Sequence, residues 1–310
     1  MTYNRIAVYG HRGWVSSAVF AALVKSGAPV KVLYRPSSDV SDLPKGVPSI
    51  EVDMDDQEAV EAALQDVDIV ISLVGQEGIT RQHGLVNAIP QTNVKLFVPS
   101  DLAFRCDEQG LQIAVNRGKI EVEEAAKRKG IPTTIVLPGL FAESFLCTGM
   151  VGVDIAKNRI VFSGDSEHQL VNICTREYVA AAYAALFATR PISELENRAI
   201  GLSEIQATGG EVAKALEKRH NASPTIFRHS LEEVDRQVEY HLQKGLSLAN
   251  LWYCRRVWGA GKLPELIGSD IWEVEDYKKM TLEELIVDGK LVGYREVSPE
   301  FEAIVDGMFY

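Results

Sequence analysis

The sequence predicts an α/β protein with a doubly wound parallel sheet, followed by a smaller C-terminal α/β domain. Over the first half of the chain, apolar runs of strand length alternate with longer stretches of helical periodicity. Such alternation is typical of βαβ units, in which helices join parallel strands. From about Gly149 the pattern loosens into shorter elements. Because 310 residues suffice for one large domain or two closely joined ones, a second domain is expected to begin near there.

The predicted elements of the first half follow in chain order. Strand patterns lie at residues 5–9, 30–34, 49–52, 69–73, 95–99 and 133–137. Helical patterns lie between them at residues 15–25, 57–65 and 117–129. In the second half, a strand is predicted at 159–162, a helix at 178–188, and amphipathic surface helices at 231–244 and 283–286. The sheet is therefore expected to hold at least six strands.

Charge and composition exclude several classes of partner. With 43 acidic and 32 basic residues, the formal net charge is −11, and such a surface repels nucleic acid and anionic lipid. No apolar run reaches the roughly 20 residues that span a bilayer. The first strand pattern begins at Arg5 and the four cysteines lie far apart. We therefore expect a cytoplasmic protein with reduced thiols, as a monomer or homodimer, with no targeting segment and no membrane or nucleic-acid partner.

Two kinds of catalytic site are not expected. The six histidines show neither HxxxH nor HxH spacing, and no GxSxG sequence is present. The first absence argues against a bound metal, and the second against a serine hydrolase.

A glycine-containing loop directly follows the first strand pattern. It consists of Gly10, His11, Arg12, Gly13, Trp14, Val15 and Ser16. Glycine permits a tight turn and a close approach of the backbone, so that pyrophosphate can bind the amides at a helix N-terminus. Its position inside a βαβ unit predicts a Rossmann dinucleotide site rather than an ordinary turn. Ser16 is a small residue in place of the third glycine, and Trp14 is either a core aromatic or a lid over the pyrophosphate.

The end of the second strand pattern indicates which dinucleotide binds. An NAD site usually has Asp or Glu there to accept hydrogen bonds from the ribose, whereas this chain has Arg35. A guanidinium offers a planar fork to a 2′-phosphate, and Arg12 and Lys45 are further candidate cations. NADPH is therefore the expected cofactor, with a solvated Arg35 as the alternative.

The candidate catalytic residue is a lysine. Short-chain dehydrogenases commonly use a Tyr with a Lys four residues later. The match here, Tyr240 and Lys244, lies far beyond the expected helix and is interpreted as chance. The helix in the expected place has no tyrosine, and Lys119 is the leading candidate. The alternative is a solvated helix lysine.

At this point the chain resembles the NmrA-like branch of atypical short-chain dehydrogenases, close to isoflavone reductase and phenylcoumaran benzylic ether reductase. The resemblance covers most of the chain and rests on GHRGWVS, VDMDD, VISLVG, VKLFVPSD and KIEVEEAAKRKGIPTTIVLPGLFAE. In the family, a lysine precedes the Ile of an IPxT element by twelve residues, as Lys119 precedes Ile131 here.

The resemblance implies roles for individual residues. Lys119 would orient the nicotinamide ribose and serve as proton relay or general acid. Further cofactor contacts would come from Leu73, Val74, Gly75, Ser100, Pro138, Gly139 and Leu140. Substrate contacts would come from Asp101, Phe104, Phe141, Glu143 and Phe145, of which Phe145, like Trp252, is alternatively a core residue. Asp101 stands in a segment that departs from the family's usual PSEFG. Residues 1–155 are the expected NADP-binding Rossmann domain, and residues 156–310 the substrate-binding domain, with some elements returning to the Rossmann sheet.

Two functions follow as hypotheses. The first is an NADPH-dependent reductase that transfers hydride to an iminium, enone or benzylic ether carbon of an aromatic or alkaloid-like small molecule. It would act in secondary metabolism, with a coupled ring-forming step as one option. The second is a non-catalytic NAD(P)-sensing regulator resembling NmrA, which is expected to lack the helix lysine.

Overall fold

The computed structural model describes residues 3–36 and 38–310, which form two compact units. The first unit comprises the residues up to Leu102, Ala114–Val136 and Val179–Ile200. The second comprises Ala103–Ile113, Leu137–Tyr178 and Gly201–Tyr310. The chain thus passes between the units several times. The division of cofactor and substrate binding at residue 155 is a functional expectation and stays a prediction.

Strands and helices are numbered in chain order. The strands are β1 (Ile6–Tyr9), β2 (Val30–Tyr34), β3 (Ser49–Glu51), β4 (Ile69–Ser72), β5 (Leu96–Val98), β6 (Thr134–Leu137), β7 (Leu140–Phe141), β8 (Val153–Asp154), β9 (Arg159–Ser163), β10 (Leu170–Cys174), β11 (Arg198–Leu202), β12 (Ile205–Thr208), β13 (Thr225–His229) and β14 (Ile271–Trp272). The helices are α1 (Trp14–Lys25), α2 (Gln57–Leu64), α3 (Gln82–Ala88), α4 (Ala114–Arg128), α5 (Ala142–Cys147), α6 (Arg176–Phe187), α7 (Gly209–His220), α8 (Leu231–Gln243), α9 (Ala249–Gly259), α10 (Leu263–Ile267), α11 (Leu282–Ile286) and α12 (Pro299–Gly307).

The first unit is built on a parallel sheet of order β3-β2-β1-β4-β5. Val8 of β1 pairs with Val32 on one side and Ile71 on the other, and a bridge from Phe97 to Thr133 continues the sheet beyond β5. The doubly wound parallel sheet predicted from the sequence is thereby confirmed. The strand order reverses between β1 and β4, and ligands of such sheets bind outside the carboxyl ends of the strands at this reversal.

The hydrophobic pattern explains this sheet. Every residue of β1, β4 and β5 is buried, because helices cover both faces of a parallel sheet and leave no solvated face. On one face, Val60 of α2, Leu85 of α3 and Val122 of α4 are each 0% exposed. A fully buried aliphatic side chain of this size contributes about 1.5–3 kcal/mol to folding. The helices are therefore held by their apolar sides, while their polar sides face solvent.

The second unit contains smaller sheets. In one, β10 pairs antiparallel with β12 and parallel with β7; in another, β9 pairs parallel with β13 and antiparallel with β8. The C-terminal helix α12 and the segment that follows it pack on this second sheet through Val305 and Phe309, respectively. Arg255 of α9 is 0% exposed and donates to the carbonyl oxygens of Gly149, Met150 and Met308, which fixes the end of the chain to the unit.

Several helices, α1, α4, α6 and α11, begin one to three residues before the predicted start. α1 begins at Trp14 rather than Val15, with Gly13 as its extended N-cap. α4 begins at Ala114, three residues before the predicted start at 117, directly after a 3₁₀ turn at Gly110–Gln112. These differences lie at N-termini, where the capping conformation rather than the hydrophobic pattern determines the first helical residue.

Candidate active site

The loop after β1 approaches the end of β4 closely. Gly10 has a φ of +93°, and a Cβ atom at this position would lie 2.9 Å from the carbonyl carbon of Leu73 and 2.9 Å from the nitrogen of Val74. Both are backbone atoms and cannot move aside. Only glycine is compatible with this turn, as the sequence predicted for a loop that cradles phosphate.

The N-terminus of α1 is suited to an anion. Its N-cap, Gly13, has no side chain that could occupy the terminal amides, and the first turn has no acidic residue. Ser16 is 4% exposed, and its hydroxyl donates a hydrogen bond to the Leu73 carbonyl oxygen at 2.7 Å. The serine is therefore more than a small substitute for the third glycine, because it ties α1 to the end of β4. Trp14 and Val15 are half-buried at this turn.

His11 is buried inside the loop. It is 6% exposed, its ring lies 5.6 Å from that of Phe20 in an edge arrangement, and burial lowers its pKa. The Nε2 atom has no hydrogen-bond partner among the described residues. Such an atom is normally satisfied by a ligand or water. Together with the close approach of Gly10 and the acid-free helix end, this fits a bound dinucleotide.

Cations surround the carboxyl end of β1 and β2. Arg35 follows β2 and is exposed, and Arg12 Nη1 donates to the Asp39 carbonyl oxygen at 3.0 Å. Burial raises the pKa of Tyr9, and the positive charges of Arg81 and Arg35 oppose this shift. Arg81, next to α3, was not predicted from the sequence, since nothing in its local pattern marks it. Lys45 is exposed.

The carboxyl ends of β4 and β5 are linked by polar contacts. The Ser100 hydroxyl donates to the Val74 carbonyl oxygen at 2.8 Å, and the Ser100 amide donates to Gln82 Oε1 at 2.8 Å. Gln82 is 0% exposed and was missed by the sequence analysis. A Cβ atom on Gly75 would meet no atom within 4 Å, so the backbone beyond Leu73 and Val74 borders open space, as expected for a surface beside a cofactor.

Lys119 of α4 points to the end of β5. Its Nζ donates to the Asp101 carbonyl oxygen at 2.6 Å and lies 3.1 Å from Asp101 Oδ1, with side chains 16% and 8% exposed. The solvated alternative for this lysine is therefore wrong. Asp101 contacts Lys119 in this way, and its expected contact with substrate stays a prediction. The hydroxyl of buried Tyr183 has no partner among the described residues, and burial, with a smaller effect of Asp101, raises its pKa.

In the second unit, the segment before α5 is tightly constrained. Gly139 has a φ of +76°, and a Cβ there would lie 2.6 Å from the Asn172 carbonyl oxygen. Asn172 Nδ2 donates to the Pro138 carbonyl oxygen at 3.1 Å, and Leu140 pairs with Ile173 in the sheet. The backbone of this expected nicotinamide contact is thus rigid.

Four predicted substrate residues also lie in the second unit. Phe141 is half-buried, and Phe104 is 6% exposed. Phe145 is 0% exposed and lies edge-on to Trp258 at 5.2 Å, which favours its alternative as a core residue. Glu143 is 1% exposed; its Oε1 accepts from the Arg176 amide at 2.9 Å. Burial raises the Glu143 pKa to about 7, against the effect of that hydrogen bond.

Three further features considered in the sequence were the Tyr240–Lys244 pair, a metal site and a membrane-spanning helix. Tyr240 is 53% exposed and Lys244 caps the end of α8, so this pair lies on a helix surface. Across residues 3–36 and 38–310, no group of His, Cys, Asp and Glu is arranged to hold a metal ion. No helix in the same part of the chain is long and apolar enough to cross a membrane.

Comparison with known families identifies the chain. The sequence profile of the NmrA-like family matches residues 2–286. The chain belongs to the NmrA-like family. Eugenol synthase 1 of Petunia hybrida is 31% identical over 184 residues, 54% of this chain and 59% of that protein. The chain spans about half to two thirds of the length of the curated relatives that it matches first.

Solved structures show the same fold. Leucoanthocyanidin reductase of Vitis vinifera, in a binary complex with NADPH, has a TM-score of 0.76 at 19% identity and covers 92% of this chain and 98% of its own. AtPrR2 with NADP⁺ and (+)-pinoresinol has a TM-score of 0.72 at 21% identity and covers 100% of both chains. These two proteins thus bind NADPH or NADP⁺, the cofactor that Arg35 led us to expect, and AtPrR2 also binds (+)-pinoresinol.

Proposed function

We propose that this NmrA-like protein is an NADPH-dependent reductase that acts on an electron-poor carbon of an aromatic or alkaloid-like small molecule. The carbon would belong to an iminium ion, an enone or a benzylic ether. The observation that supports the proposal best is the partly buried ammonium of Lys119, held by Asp101 at the carboxyl edge of the sheet. A regulator that only senses dinucleotide has no need of such a group.

The geometry of Lys119 suits proton donation. An ammonium has three N–H donors, and the carbonyl oxygen and carboxylate of Asp101 account for two directions around Nζ. The third N–H donor of Lys119 is available to a substrate atom. The two contacts with Asp101 fix where Nζ lies. Lys119 would donate its proton to the oxygen or nitrogen on which negative charge develops, and would regain it from solvent.

The loop residues Gly10, His11, Arg12, Gly13, Trp14 and Val15, with Arg35, are the proposed cofactor site. The amides at the start of α1 would bind the pyrophosphate, and Arg12 and Arg35 would bind the 2′-phosphate. When bound, NADPH supplies the hydride. We also keep Leu73, Val74, Gly75, Ser100, Pro138, Gly139 and Leu140 as proposed cofactor contacts. Phe104, Phe141 and Glu143 remain proposed substrate contacts.

The test combines a substrate panel with lysine variants. Imines, enones and benzylic ethers, including (+)-pinoresinol, are incubated with the protein and NADPH, and NADPH absorbance is followed. Lys119→Arg keeps a cation beside Asp101 but does not give up a proton, so we expect kcat to fall about 100-fold or more with unchanged thermal stability. Lys127→Ala, on the exposed side of the same helix, is the matched control and should keep full activity.

Two outcomes would contradict the proposal. If the wild-type protein binds NADPH but turns over no compound of the panel, the sensing regulator becomes the better hypothesis. If Lys119→Arg and Lys119→Ala both retain wild-type kcat, the protein is a reductase in which this lysine has no catalytic role.

A further inference from the structure

A polar network in the second unit fixes the loop Ala103–Ile113, called here the substrate loop because Phe104 is a proposed substrate contact. Its centre is Asp107. Asp107 Oδ1 accepts from the hydroxyl of Tyr253 on α9 at 3.0 Å and from the Gly110 amide at 3.1 Å. The Asp107 amide donates back to the Tyr253 hydroxyl at 3.1 Å. Asp107 and Tyr253 are thus joined by two hydrogen bonds.

The other carboxylate oxygen of Asp107 meets two cations. Arg256 Nη1 lies 2.6 Å from Oδ2, and Lys262 Nζ lies 3.7 Å from it. The side chains of Asp107 and Arg256 are 24% and 18% exposed, so their attraction is less screened than that of a surface pair. Burial raises the pKa of Asp107, but the hydrogen bonds outweigh this effect and hold it below its ordinary value. The carboxylate is charged at neutral pH.

Packing and backbone contacts hold the remainder of the substrate loop. Phe104 stacks on the Tyr253 ring with centroids 6.2 Å apart. A Cβ on Gly110 would lie 2.4 Å from Tyr253 Cζ, so the loop backbone rests directly on this ring. At the loop's start, the Arg105 amide donates to the Leu266 carbonyl oxygen at 2.9 Å. The loop is therefore fixed although it has little regular secondary structure.

We propose that Asp107 and Tyr253 are positioning residues that hold the substrate loop, and with it Phe104, in the conformation that binds the aromatic substrate. The proposal rests on the proposed reductase function. A loop that is ordered before binding loses less conformational entropy when substrate arrives. Releasing it should therefore raise KM, while kcat and NADPH affinity depend on Lys119 and the proposed cofactor contacts, none of which lies in this loop, and should change little.

The test uses two variants of the full-length protein and a matched control. Tyr253→Phe keeps the ring that stacks on Phe104 but removes both hydrogen bonds to Asp107, and Asp107→Asn removes the charge that Arg256 and Lys262 meet. Asp235→Asn removes the other carboxylate that Arg256 contacts, at 3.0 Å, and leaves the substrate loop untouched. Measured quantities are hydrogen exchange of residues 103–113, the NADPH Kd, and KM and kcat for the panel compound with fastest turnover.

A charge-assisted hydrogen bond is worth about 1.5–3 kcal/mol, which corresponds to about a tenfold change or more. We expect Asp107→Asn and Tyr253→Phe to increase loop exchange and KM by about tenfold, with kcat and the NADPH Kd within about threefold. Asp235→Asn should match wild type.

A KM unchanged in both variants overturns the inference and leaves the proposed reductase function standing. Faster loop exchange with a large fall in kcat and no change in KM also overturns it. A wild-type protein without turnover overturns the proposed function and this role together.

Discussion

Arg35 is the residue on which the choice between NADPH and NADH depends. It is exposed at the end of β2, near enough to Tyr9 for its charge to oppose the raised pKa of that phenol. We expect Arg35→Ala to weaken NADPH binding by about 10- to 100-fold, because one charge-assisted contact to the 2′-phosphate is lost. NADH, which has no such phosphate, should bind within about twofold of wild type. Fluorescence titration of both nucleotides measures the two affinities.

The control for this experiment is Arg117→Ala, which removes another exposed arginine, paired with Glu121 on α4, and should change neither affinity. If Arg35→Ala lost affinity for NADPH and NADH equally, Arg35 would contact a part that is common to both molecules. Unchanged NADPH affinity would show that Arg35 is solvated, which is the alternative left open by the sequence.

Single residues also show where sequence reasoning stops. Lys119 was found from its helix and its distance to Ile131, but its contact with Asp101 was not predicted. Asp101 was predicted as a substrate contact in a segment that departs from a family pattern, and not as a partner of Lys119. The pairing depends on how α4 folds back on the end of β5, and no local periodicity encodes that. Gln82 was missed for the same reason, since its partner Ser100 lies on another element.

At the scale of elements, the turn between β1 and α1 depends on its contact with β4. Gly10→Ala would need a φ of +93° in an alanine and would place Cβ 2.9 Å from two backbone atoms. A strained φ of this kind costs about 1–3 kcal/mol by itself, and the contact adds to it. We expect a lower melting temperature and at least about tenfold weaker NADPH binding, measured by thermal unfolding and titration.

Gly46→Ala is the control for Gly10→Ala. Gly46 also has a positive φ, of +88°, but its Cβ would meet nothing within 4 Å, so it carries the strain without the contact. A Gly10→Ala protein that binds NADPH as the control does would mean that the approach to β4 is unnecessary for the cofactor site.

Elements were predicted unevenly along the chain. The six strands of the first half were located to within one or two residues, because a buried parallel strand is a short apolar run that can be recognised locally. The small sheets of the second unit were not predicted. β7 and β8 have two residues each, too few for a pattern, and β10 pairs with segments before and after it in the chain. Such pairing is decided by packing between distant segments.

At the scale of the whole molecule, Glu143 links the free energy of unfolding to pH. Its pKa in the folded protein, about 7, is raised from 4.5. The folded state therefore retains a proton that the unfolded state has lost between these values. The contribution of Glu143 to the free energy of unfolding has its full value below about pH 4.5 and is lost as pH rises through about 7. At 1.36 kcal/mol per unit, the loss is at most about 3 kcal/mol.

Glu143→Gln should remove this dependence, because glutamine can still accept the hydrogen bond from the Arg176 amide and does not titrate. We expect the free energy of unfolding of the variant, relative to wild type, to be higher at pH 8 than at pH 5 by about 2–3 kcal/mol, as measured by urea unfolding. Comparing the two pH values cancels any constant cost of burying the amide beside the position of Oε2.

Glu124→Gln, on the exposed face of α4, should leave the wild-type pH dependence unchanged. Parallel pH profiles for wild type and Glu143→Gln would mean that the buried carboxyl is ionised in the folded protein, and that a group beyond the described contacts stabilises its charge.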